Sequence, residues 1–167
     1  MNKRKELETE EFELNKRKAE ARVIVNSTLL GISITLFGLI VTISPGLLDN
    51  TLLAYQLVLC IPFFMSSIFA RSKLAYSKNA GRWDKYGFIT FIIGYSFLIN
   101  SIGLLLISFI SYGISITFFA VNILSAIAYS AVQVSYDKKS LMSRVYQDGV
   151  FILLLVLFGV LPVLRIA

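Results

Sequence analysis

Five long apolar runs, separated by short polar or charged stretches, dominate the chain. They fall at residues 23–44, 51–70, 88–110, 114–134 and 149–164. Each is near the ~20 residues an α-helix needs to cross ~30 Å of hydrocarbon. None shows the two-residue alternation of a barrel strand, and open sheet edges are forbidden in lipid, so the pattern predicts helices. The predicted fold class is an all-α integral membrane protein, a bundle of five transmembrane helices.

The connections are short. Ser44-Pro45-Gly46 is a turn signal that also stops a helix, and only Ser111-Tyr112-Gly113 separates the third run from the fourth. Both pairs are predicted to be tight antiparallel hairpins. The last run, sixteen residues and about 24 Å as helix, is short for a span, so it is expected to begin earlier, near Val145, drawing Asp148 to the boundary.

Residues 2–22 have a different character, with seven Lys/Arg and six Glu. Helical i,i+4 spacing pairs Arg4 with Glu8, Glu13 with Arg17 and Lys16 with Glu20, and neither Gly nor Pro interrupts the entry into the first run. A charged cytosolic helix over 1–22, leading into a transmembrane domain over 23–167, is the expected organisation.

Composition agrees with the bilayer. Of 167 residues, 56% are hydrophobic and 16% charged, with a mean hydropathy of +0.75, which leaves too little polar surface to cover a soluble globule. The formal charge of +6 does not point to nucleic acid, because the basic residues alternate with glutamates or sit beside apolar runs. Fifteen of the sixteen Lys/Arg lie in residues 2–22, 71–87 and 135–148, all on one side of the predicted membrane; Arg165 alone lies on the other. The positive-inside rule then puts the N-terminus in the cytosol and the C-terminus outside.

Histidine is absent and Cys60 is the lone cysteine, which removes the usual ligands for zinc, haem and iron–sulfur clusters and any Cys/His or Ser/His nucleophile pair. No Asp, Glu, Lys or Arg falls within the first four runs, which disfavours proton-coupled or sodium-coupled carriers and intramembrane acid–base chemistry. Neither enzymatic activity nor a cofactor or metal is expected.

Candidate functional residues are neutral. On the fourth run Ser115, Asn122, Ser125, Tyr129 and Gln133 share one helical face and, with their facing partners Asn100 and Ser101 of the third run, are the candidates to line a pore. Asn122, near the bilayer midplane, is expected to meet either such a partner or water. Ser27, Gly31, Thr35, Gly38 and Thr42 make a small-residue face on the first run, a pattern of close helix contact. Asp148 is a candidate for a cytosolic mouth. Arg71, Lys73, Lys78, Arg82, Trp83 and Lys85 form a basic-aromatic elbow suited to anionic headgroups of the inner leaflet.

Two functions follow as expectations. The first is a homo-oligomer forming a channel-like pathway for ions or small solutes. The second is a non-conducting membrane scaffold or assembly subunit that recruits a partner through its charged helix and basic loop.

Overall fold

The computed structural model describes residues 2–74, 80–136 and 141–166. In chain order the elements are α1 (Asn2–Ile43), a 3₁₀ turn (Pro45–Asp49), α2 (Thr51–Leu74), α3 (Ala80–Phe109), α4 (Tyr112–Tyr136), α5 (Leu141–Leu155), a π-helical turn (Val156–Val160) and α6 (Leu161–Ile166). Five helical segments are long and apolar enough to cross a membrane: Lys16–Ile43, Thr51–Leu74, Gly81–Phe109, Tyr112–Ser135 and Asp148–Arg165. The protein is all-α, and its architecture is that of a multi-pass membrane protein.

Several segments extend past the apolar runs at their charged ends. Helical hydrogen bonding does not stop where apolar sequence stops, so α2 continues through Arg71 and Lys73 and α3 already includes Arg82, Asp84 and Lys85.

The connections are capped by the residues that terminate the runs. Pro45 opens the 3₁₀ turn, where its missing N–H costs nothing, and Asn50 caps α2 by accepting from the Leu53 N–H at 3.2 Å. Between α3 and α4, the N–H groups of Ile110 and Ser111 both donate to the Leu106 carbonyl, and the Ser111 hydroxyl accepts from the Ile114 N–H. That two-residue link is shorter than the predicted turn, because Tyr112 and Gly113 already belong to α4.

The chain divides into two compact units. One comprises residues 1–38 and 59–95, the other residues 39–58 and 96–167. In the first, Cys60, Phe64 and Ala70 of α2 are fully buried, and Gly94 of α3 lies so close to α2 that a Cβ there would stand 3.2 Å from the Phe63 Cβ. In the second, Phe119 of α4 is 1% exposed, and a side chain added at Gly103 of α3 or Gly159 of the π turn would collide with its ring. The two glycines are the slot into which this aromatic fits.

On α1, the buried residues Ala19, Asn26, Ser33 and Ile40 recur every seven positions. The small-residue face of Ser27, Gly31, Thr35, Gly38 and Thr42 points the other way and is exposed throughout, with nothing within 4 Å of a Cβ added at Gly31 or Gly38.

Candidate functional site

In the first unit, two polar threads tie α1, α2 and α3 together one helical turn apart. Arg22 of α1 donates to the Asp84 carboxylate at 2.6 Å, and Arg71 of α2 donates to the same oxygen. One turn on, the Asn26 amide donates to the Ser67 hydroxyl at 2.7 Å, which donates to the Gly87 carbonyl at 2.6 Å. Gly87 makes this approach possible: a Cβ there would lie 3.0 Å from the Ala70 Cβ and 3.2 Å from Arg71 Nε.

This geometry corrects the reading of Arg71 as a headgroup ligand. Arg71 is 3% exposed and paired with Asp84, because a guanidinium carried on an inward face needs a carboxylate when water is withdrawn. Arg82 and Lys85 are exposed, Trp83 is half-buried, and the Lys73 ammonium stands 5.9 Å from the centroid of the Trp83 ring, within cation–π range. Lys78 lies outside the described residues.

In the second unit, the π turn is the organising feature. Its cause is Pro162. A proline has no N–H for the carbonyl four residues back, and its ring crowds that carbonyl, so the helix widens and the Leu161 N–H bonds to Val156 O in the i→i−5 register. Pro162 has no N–H to give the carbonyl four residues back, that of Phe158, and Gln56 of α2 donates there through Nε2 at 3.0 Å. One turn earlier, Asn100 of α3 donates through Nδ2 to the Leu154 carbonyl at 3.2 Å. Gln56 is 2% exposed and Asn100 fully buried. Phe97 and Phe158 meet edge to face at 6.1 Å beside this pair.

The predicted polar face of α4 is not brought together with Asn100 and Ser101. Ser115 is buried and donates to the Gly103 carbonyl at 2.8 Å, and Ser101 donates to Phe97 O in its own helix. Asn122 is half-buried and donates to Phe118 O one turn back, so its amide finds its acceptor within α4 and not across the helix pair. Ser125 is exposed, Tyr129 is 61% exposed, and Gln133 is half-buried. Asp148 is half-buried and accepts from the Ser130 hydroxyl, linking α5 to α4.

Sequence reasoning missed Gln56, Arg22 and the turn made by Pro162. The signals were present: a lone carboxamide inside an apolar run, a proline four residues after Phe158, and a lone aspartate between helices that carry arginines.

In comparisons with known proteins, the chain matches no family model, and neither curated proteins nor solved structures yield a match. Among the described residues no group of His, Cys, Asp and Glu is placed to hold a metal ion.

Proposed function

We propose that this protein inserts with its N-terminus in the cytosol and its C-terminus outside, assembles with copies of itself, and forms a channel-like pathway for ions or small solutes at the contact between copies. The observation that carries this reading is the state of α4. The α3 residues Asn100 and Ser101 are engaged with backbone carbonyls, whereas Ser125 and Tyr129 stand exposed on the single chain. A hydroxyl facing hydrocarbon is costly, so these side chains call for a polar neighbour or water. The exposed small-residue face of α1 offers a second close-packing surface for another copy.

The charged first helix and the basic residues Lys73, Arg82 and Lys85 then lie at the cytosolic face, where Trp83 anchors at the headgroup level of anionic lipid. The pathway has no proton-dependent or metal-dependent chemistry of its own, because its lining is neutral. Selectivity rests on size, hydroxyl and amide dipoles, and the charge of Asp148 at the mouth.

A non-conducting scaffold is the second reading. It is favoured by the bond from Asn122 to Phe118 O, which satisfies one of its amide donors without water.

Cysteines at Asn122, Ser125 and Tyr129, in a Cys60→Ser background, separate the two. The channel reading expects reaction with a membrane-impermeant thiol reagent and loss of solute flux in liposomes. Absence of labelling at all three positions, under conditions that promote the open and the closed state, gives the scaffold.

A further inference from the structure

Besides Gln133 Oε1 on a half-buried residue of α4, the second unit holds three buried oxygens that accept no hydrogen bond from any described residue: Gln56 Oε1, Ser96 Oγ and Asn100 Oδ1. Their residues are 2%, 0% and 0% exposed. The two carboxamides cannot resolve this by flipping. Each has its NH₂ on a backbone carbonyl, Phe158 O for Gln56 and Leu154 O for Asn100, and a flip would set oxygen against oxygen. Their acceptor ends are therefore fixed away from those two carbonyls.

Ser96 also differs from the hydroxyls that bond within their own helix. Thr28, Ser33, Ser101, Ser108 and Thr117 each donate to the carbonyl four residues back, the ordinary way a helical hydroxyl is satisfied in lipid. Ser96 does not, and it sits one turn before Asn100 on α3. Leu154 and Phe158 are likewise one turn apart, so Asn100 and Gln56 meet the last span at successive turns. At Gly159, a side chain would collide with Asn100 Oδ1 as well as with the Phe119 ring, so the glycine is what lets this oxygen approach the π turn.

We propose that Ser96, Asn100 and Gln56 form a buried binding line for a small guest that brings only hydrogen-bond donors or positive charge: bound water or a dehydrated monovalent cation. Oriented amide oxygens repel an anion and are wasted on an apolar molecule. Without a carboxylate, they are too weak a set for a divalent ion. The line lies inside one chain and is independent of whether copies assemble.

The test is water-edited solid-state NMR on the full chain in lipid bilayers, with asparagine, glutamine and leucine labelled, in sodium, potassium and N-methylglucamine chloride. Magnetisation is expected to pass from water to the side chains of Asn100 and Gln56 as fast as to Asn50 in the α1–α2 connection, and far faster than to buried Leu104. Equal transfer in all three salts identifies the guest as water. Side-chain shifts that move with sodium or potassium but not with N-methylglucamine identify a cation. Ser96→Ala, a gentle change, should slow transfer to Asn100. Transfer to both amides as slow as to Leu104 in every salt would overturn the proposal, and unchanged fast transfer in Ser96→Ala would overturn the shared line.

Discussion

The Gln56 carboxamide of α2 donates to the Phe158 carbonyl, the acceptor four residues before Pro162, to which the proline has no N–H to give. A side chain 102 positions away in sequence thereby supplies a donor that the proline cannot, and the widened turn is tied to α2 by a tertiary hydrogen bond.

Pro162→Ala restores an N–H at position 162 and with it the helical donor to Phe158 O. The Gln56 bond then becomes redundant, so Gln56→Leu should cost about 1 kcal/mol less in the Pro162→Ala background than in the wild type. A double-mutant cycle of unfolding in mixed micelles reads the coupling. Additive effects would mean that the two residues act independently.

At the other end of α2, Asp84 serves two arginines with different surroundings. Asp84→Asn strands the guanidinium of Arg71 and should lower stability by about 1.5–3 kcal/mol, the range for a hydrogen bond to a charged group. Arg22 pairs at a site where both side chains are nearly half exposed, so Arg22→Gln should cost only about 0.2–1 kcal/mol. Thermal unfolding at low and high salt checks both, and only the Arg22 effect should fade with salt.

Glycines separate internal packing from surface packing. Gly159→Ala and Gly103→Ala drive a methyl into Phe119 and should destabilise the chain by about 1–3 kcal/mol each. Gly31 faces open space on α1, so Gly31→Leu should leave helicity and unfolding of the single chain unchanged while reducing the number of associated copies, read by cross-linking in membranes.

Much of the fold was legible because long apolar runs without a two-residue alternation favour helix. Twenty-residue apolar runs can only be helices, and Pro45, Asn50 and Ser111 end or cap them by local chemistry that a sequence carries directly. The lone cysteine of the second run is buried, as its apolar setting indicated. The candidate sites were less legible. Arg71 and Arg82 look alike in sequence, yet one is buried against Asp84 and the other exposed, because only the phase of each helix against its neighbours decides between them. The same holds for α4. Ser115 and Tyr129 share a helical face in projection, but the face is covered near Gly103 and bare one span-half further along. Gln56 was silent because its partner is a backbone carbonyl, and a carbonyl has no signature in sequence until the proline that frees it is noticed.

Asp148 offers an electrophysiological handle. With its carboxylate at the start of the last span, it should, on the proposed channel reading, concentrate cations at the mouth of the pathway. Asp148→Asn should lower unitary cation conductance at low salt, with the difference vanishing as salt screens the charge. Unchanged conductance at low salt would remove Asp148 from the mouth.

The central claim is that copies of this chain assemble around a shared pathway, and subunit number in lipid tests it most directly. Native mass spectrometry of the full chain released from bilayer nanodiscs should find a closed assembly of four or more copies that Gly31→Leu dissociates. A monomer, in lipid and in mild detergent alike, would contradict the account.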